Sequence, residues 1–184
     1  MTPKLCVFCG SRFGANPTFE SAAAETGRVA AQLKWAVVYG GGNVGLMGTL
    51  ANTALAAGGK VIGIIPKDLL AREAGKRDIT ELHVTESMYE RKHRMITSSD
   101  AFLVLPGGYG TLDELLEIVT LKQLGYHKKP IILLDVEKFW QPCLTAFNSM
   151  HDAGFAVPII AELVTIVETV DGAFAALSKE VARS

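Results

Sequence analysis

Cysteine is scarce in this chain, and so is any surplus of charge. Three cysteines among 184 residues are too few for a disulfide framework. Two of them, Cys6 and Cys9, have the spacing of a redox or metal pair. They fall in the apolar run Leu5–Cys9, and on a strand residues three apart point to opposite faces, so they read as structural thiols. The four histidines, His83, His93, His127 and His151, are scattered, with no metal-ligand spacing. With 18 Lys and Arg against 19 Asp and Glu the net charge is −1, which gives no electrostatic footprint for nucleic acid or an anionic membrane. No apolar stretch approaches the ~18 residues that a membrane span requires. Lys4 is followed by only a short apolar run, so the N-terminus does not read as a signal peptide. These absences predict a cytoplasmic protein with neither a nucleic-acid nor a membrane partner.

What is present is an ordinary globular composition, 49% hydrophobic and 20% charged, over a length suited to one domain, residues 1–184. Apolar runs expected as strands are Leu5–Cys9, Ala36–Tyr39, Lys60–Ile65, Glu81–Val84, Ala101–Leu105, Pro130–Leu134 and Leu163–Val167. Helices are expected near Pro17–Leu33, Gly45–Ala57, Met88–Ser98, Thr111–Leu124, Phe139–Ala153 and Asp171–Val181. Connections are short and glycine-rich. The βα alternation predicts an α/β fold: a Rossmann-like open parallel sheet of about seven strands, helices on both faces, three layers in all. Ligands of such sheets bind beyond the carboxyl ends of strands where the strand order reverses. The loops Gly10–Gly14, Gly40–Gly45, Pro66–Glu73 and Pro106–Gly110 are expected there.

The most informative segment is Pro106-Gly107-Gly108-Tyr109-Gly110-Thr111-Leu112-Asp113-Glu114. It joins an expected strand to an expected helix whose stripe is Leu112, Leu115, Leu116 and Val119. Glycines let backbone approach a ligand, and the amides of a helix N-terminus suit a phosphate. Glu114 lies one turn further on. It admits two readings: a capping box with Thr111, or a carboxylate beside a phosphate seat. With the stripe centred on Leu112, Leu116 and Val119, Glu114 is expected to point away from it, toward solvent or a cleft.

Two further patterns bear on function. Gly40, Gly42 and Gly45 form a G-x-G-x-x-G, but the acidic residue that a dinucleotide site needs about 20 positions on is missing, since Asp68 comes late. These glycines, with Gly41, are expected to admit a smaller nucleotide or the facing loop, and Gly10-Ser11 offers another turn with a hydroxyl. Ser87-x-x-Glu90 reads as a capping box. Behind it Met88, Arg91, Lys92 and Met95 share a helical face. Their cations either snorkel to water or meet an anionic ligand or Glu114, because an unpaired buried charge is costly.

Taken together the motifs resemble those of the Lonely-Guy family of cytokinin riboside 5′-monophosphate phosphoribohydrolases. The resemblance rests on Pro106-Gly107-Gly108-x-Gly110-Thr111-x-x-Glu114, Met88-x-x-Arg91-Lys92 and Gly40-Gly41-Gly42-x-x-Gly45-Leu46-Met47-Gly48, in order between Val7 and about Val136. Asp113 replaces a common Glu and keeps the charge. The resemblance implies hydrolysis of the N-glycosidic bond of adenine or N6-prenyladenine nucleoside 5′-monophosphates, giving free base and ribose 5-phosphate. It implies Arg91 and Glu114 as the catalytic pair. It implies substrate contacts at Glu73, Arg91, Lys92, Gly107, Gly108, Tyr109, Gly110, Thr111, Leu112, Asp113 and Thr120, with further nucleotide contacts open at Gly10, Ser11, Gly41 and Gly42. It implies a homodimer, and no metal or redox cofactor is required. Relatives have been labelled lysine decarboxylases, but no pattern here suggests a pyridoxal phosphate site. A plain AMP nucleosidase and a non-catalytic nucleotide or molybdopterin carrier remain as alternatives.

Overall fold

Seven short strands, every one paired parallel to its neighbours, make a single sheet in the order β4-β3-β2-β1-β5-β6-β7. The computed structural model describes residues 2–72 and 75–181. Its first half runs β1 (Lys4–Phe8), α1 (Pro17–Gln32), β2 (Ala36–Tyr39), α2 (Gly45–Ala56), β3 (Val61–Pro66), α3 (Lys67–Arg72), β4 (Glu81–Thr85) and α4 (Met88–Thr97). The second half runs β5 (Ala101–Val104), α5 (Tyr109–Gln123), β6 (Ile131–Leu134), a 3-10 turn (Val136–Lys138), α6 (Gln141–Asp152), α7 (Ile160–Leu163), β7 (Thr165–Val167) and α8 (Val170–Val181). This is the three-layer α/β architecture that the alternation predicts.

The central strands read as unbroken apolar runs because both faces of the sheet are covered. On β1, Leu5 and Val7 join a core with α1, α2 and α8, while Cys6 and Phe8 join another with α4, α5 and α6. On β5, Leu103 and Phe102 divide the same way. Cys6 and Cys9 accordingly sit in opposite cores, both as free thiols.

Four local expectations change. Pro66–Glu73 is not simply a loop: β3 ends at Pro66 and α3 follows at once, a six-residue helix too short to show periodicity, with Asp68 in its first turn. Leu163 belongs to α7, so β7 is only three residues long. α5 begins at Tyr109, two residues before the expected start, with Gly108 as N-cap and no described side chain capping it. The capping-box reading of Thr111 and Glu114 therefore fails. The buried face of α5 is Thr111, Leu115, Ile118 and Val119, whereas Leu116 is 40% exposed. At ~100° per residue Glu114 stands roughly 60° from Thr111, at the edge of the buried face rather than away from it. The apolar stripe was misplaced because Thr111, counted as polar, is in fact 4% exposed.

Candidate active site

The strand order reverses between β1 and β5. The chain leaves β1 toward α1 on one face of the sheet and leaves β5 toward α5 on the other, so the two loops part and open a crevice at the strands' carboxyl ends. Backbone bonds fix its rim. Leu105 N–H donates to the Phe8 carbonyl at 2.9 Å, Gly10 N–H to Pro106 at 3.1 Å, and Leu46 N–H to Gly10 at 3.1 Å. A Cβ at Gly10 would meet the Gly107 Cα at 3.4 Å. Gly45, at φ +52, lies against the backbone of Ser11 and Arg12, so this glycine serves the facing loop.

The crevice holds a cavity of about 580 Å³, within the ~300–1,000 Å³ usual for small-molecule sites. One wall is the start of α5, from Gly107 to Thr111. The helix end carries no described side-chain cap, so the amides of its first turn are left to solvent or to a ligand. Thr111 folds its side chain back against Gly107. Gly108 and Gly110 differ from that: a Cβ at either would meet no described atom within 4 Å. Nothing in the described chain requires glycine at those two positions, and both face the cavity.

The opposite wall is α4. Its capping box forms with one shift: Glu90 N–H donates to Ser87 Oγ at 3.2 Å, while the Glu90 carboxylate accepts from Glu86 N–H at 2.9 Å. The helix presents Met88, Arg91 and Met95 to the cavity. Arg91 is 6% exposed. Its Nε donates to the Ile64 carbonyl at 3.2 Å, within β3, and Nη2 to the Gly40 carbonyl at 3.3 Å, just after β2. Hydrogen bonds to a charged group contribute about 1.5–3 kcal/mol each, which offsets the cost of burying the guanidinium. Nη1 meets only the Met88 sulfur, at 3.7 Å, among the contacts described. Sulfur is a weak acceptor that a substrate atom would displace. A Cβ at Gly40 would run into Arg91 Nη2, so glycine there makes room for the guanidinium.

Glu114 lines the cavity with Arg91. Both charges are felt at the floor. Burial pushes the Cys6 thiol well up, Glu114 adds to the rise, and Arg91 opposes it. Burial raises Cys9 too, again with help from Glu114. Both thiols are held neutral, so neither is primed as a nucleophile.

Of the residues expected at the site, Arg91, Glu114, Gly107, Gly108, Tyr109, Gly110, Thr111, Asp113, Gly10 and Ser11 line the cavity. Lys92, Leu112, Thr120, Gly41 and Gly42 are not among its lining residues. Glu73 lies outside the described residues. Lys92 instead reaches Asp113 at 3.0 Å and Glu117 at 2.8 Å on α5. Gly41, at φ +77, takes its place in a tight turn whose carbonyl accepts from Lys76 N–H. The structure also gives roles to residues beyond the expected site list. Arg12, from the expected Gly10–Gly14 loop, supplies a second cation; Phe13 of the same loop, Leu46 and Met47 of the glycine motif, and Phe19 and Phe139, which no motif contained, make an apolar side. Phe139 follows the 3-10 turn, which is braced by Asp135 accepting from Trp140 N–H at 2.7 Å and Gln141 Nε2 at 2.5 Å. No periodic pattern marks such a position.

Comparison with known proteins agrees with the motifs. The model of a family described as possible lysine decarboxylase matches residues 47–177. A cytokinin riboside 5′-monophosphate phosphoribohydrolase of Arabidopsis thaliana is 42% identical over 88% of this chain and 74% of its own. One from Rhodococcoides fascians is 42% identical over 96% of this chain and 90% of its own. Among solved structures, a molybdenum cofactor carrier protein from Chlamydomonas reinhardtii matches with a TM-score of 0.74 at 25% identity, covering 99% of both chains. A molybdenum cofactor binding protein from Rippkaea orientalis matches at 0.73 and 23% identity over 98% of both, a likeness of fold alone. On its motifs and on these identities, the chain belongs to the Lonely-Guy family of cytokinin riboside 5′-monophosphate phosphoribohydrolases.

Proposed function

We propose that this protein hydrolyses the N-glycosidic bond of adenine or N6-prenyladenine nucleoside 5′-monophosphates, releasing the base and ribose 5-phosphate. The observation that carries this reading is the start of α5, with no described side-chain cap, opening on the same cavity as Arg91 and Glu114. The phosphate sits on the first-turn amides, where two glycines with open space above them let it come close. The ribose then lies against Glu114. As the bond between C1′ and the base nitrogen breaks, its electron pair leaves with the base and positive charge builds on the sugar. Glu114 stabilises that charge and accepts a proton from the water whose oxygen bonds to C1′. Arg91 holds the leaving base or the sugar from the other wall, and the base takes up one proton in place of the one that water gives to Glu114, which restores the carboxylate. The binding energy of the phosphate contributes to orientation at the sugar.

A decarboxylase does not fit. Pyridoxal phosphate is held as a Schiff base to a lysine, and the cavity lining has two arginines and no lysine among the described residues. The carrier reading rests on fold likeness at about 25% identity, and it gives no use to a carboxylate facing a buried arginine. We further propose a cytoplasmic homodimer. No described helix is long and apolar enough to cross a membrane. Leu124, Tyr126, Phe155 and Val157 are 65–89% exposed near one end of α5, where Gln123 bonds the Val157 carbonyl at 2.8 Å. That patch suits a second copy.

The test of the phosphate seat is base release from AMP and from adenosine. AMP is expected to be the better substrate by at least about 10²-fold in kcat/KM, since a ~1 Å misplacement alone can cost that much, and ribose 5-phosphate is expected to inhibit. Equal kcat/KM for the two, or no base from either, contradicts it. Glu114→Gln is expected to lose about 10²-fold or more in kcat with its melting temperature nearly kept. Near-normal turnover would remove the catalytic role. Gly40→Ala, which displaces the guanidinium without deleting it, is expected to impair kcat about as severely as Arg91→Ala. Normal kcat in Gly40→Ala would show that the seat of Arg91 is not critical. Light scattering is expected to give twice the chain mass, and a monomer at micromolar concentration contradicts the dimer.

A further inference from the structure

Lys92 follows Arg91 in sequence but serves another purpose. Its side chain is 20% exposed, it does not line the cavity, and its Nζ lies between Asp113 Oδ2 at 3.0 Å and Glu117 Oε2 at 2.8 Å. Those two carboxylates bracket Glu114 on α5. Three carboxylates thus lie within about one helical turn of one another. Other charged and titratable groups reach the cavity around Glu114 from the neighbouring elements. Arg91 acts from α4 and is anchored on Ile64 and Gly40. Arg12 lines the cavity from the β1 loop, Tyr109 lines it from the first turn of α5, and the Cys6 and Cys9 thiols beneath are neutral.

We propose that Lys92 is a positioning residue, not a substrate ligand: by holding Asp113 and Glu117 it locks α5 to α4 and offsets one of the two charges flanking Glu114, which favours the ionised form of Glu114 at the cavity wall. The proposal rests on the reading that Glu114 acts as a carboxylate. Burial works against the charge on Lys92, yet the two carboxylates outweigh it and hold the ammonium above the usual lysine pKa. The cluster also spans the two helices that carry the site's opposed charges. One cation in α4 is fastened to the sheet, and the next is fastened to α5. Together they set the width of the cavity between Arg91 and Glu114.

The first measurement needs no substrate. Carbon-13 NMR of labelled glutamate side chains reads the pKa of Glu114 in the ligand-free protein. In Lys92→Met it is expected to rise by on the order of one unit, because a nearby positive charge has gone and two like charges are uncovered. Lys92→Arg is expected to stay near the parent value. Lys92→Met/Glu117→Gln is expected to recover part of the shift. If Lys92→Met does not fold, Glu117→Gln carries the test with the opposite sign, and the Glu114 pKa is expected to fall. An unmoved Glu114 pKa in the folded variant used overturns the proposal.

The second measurement is base release from AMP against pH. In Lys92→Met the acid limb of kcat is expected to move up with the Glu114 pKa, leaving about a tenfold loss below the limb, with KM within about twofold of the parent. A KM raised tenfold or more with the limb in place would make Lys92 a substrate ligand and overturn the proposal. Parent protein that releases no base, while the NMR shifts follow expectation, contradicts the proposed activity and leaves the positioning role supported.

Discussion

A guanidinium buried to 6% exposure cannot stand without partners, and satisfying Arg91 organises much of this site. Two of its nitrogens take the carbonyls of Ile64 and Gly40, each just past the last β2–β3 pair, Tyr39 with Gly63. Gly40 must be glycine for the group to enter. α4 must cross the ends of those strands at the height its capping box sets. Met88 and Met95 fill the space around it with side chains that adapt in shape. The outcome is a positive charge whose remaining edge faces a cavity rather than solvent, in surroundings where its field is poorly screened.

The rest of the site follows from the reversal of strand order between β1 and β5. Two loops that separate there leave a crevice, and the helix leaving β5 points its N-terminus, with no described side-chain cap, into it. The opposed charges are thus fixed by different elements: Arg91 by the sheet through α4, Glu114 by α5. A pocket assembled from two independently anchored walls gains from a brace between them, and Lys92, which does not itself line the cavity, supplies one. The same logic explains why the thiols below stay inert. They sit under a carboxylate and out of water, and both effects favour the protonated form.

Much of this was legible in the sequence because it is written in local patterns. Short, fully apolar runs such as Ala101–Val104 and Ile131–Leu134, bounded by turn residues, read as strands covered on both faces. Ser87 and Glu90 mark the start of α4, and the glycines after β5 mark a turn with a close approach. What escaped is not carried by hydrophobic letters. Thr111 is buried although it counts as polar, so a stripe counted from apolar residues misplaces the buried face. α3 is six residues long and shows no period. The parting of Arg91 toward the cavity and Lys92 toward α5 depends on where two helices cross. Phe139 reaches the cavity from a turn braced by Asp135, a long way in sequence from the other walls.

The central claim is geometric: the phosphate sits on the first turn of α5 and the glycosidic bond lies between Arg91 and Glu114. A crystal structure of Glu114→Gln soaked with AMP tests it most directly. The account predicts phosphate oxygens within about 3 Å of backbone amides between Gly108 and Thr111, with C1′ beside residue 114 and the guanidinium of Arg91 in contact with the base or sugar. A phosphate bound at the Gly40–Gly45 turn, or a nucleotide whose ribose lies away from residue 114, would contradict it.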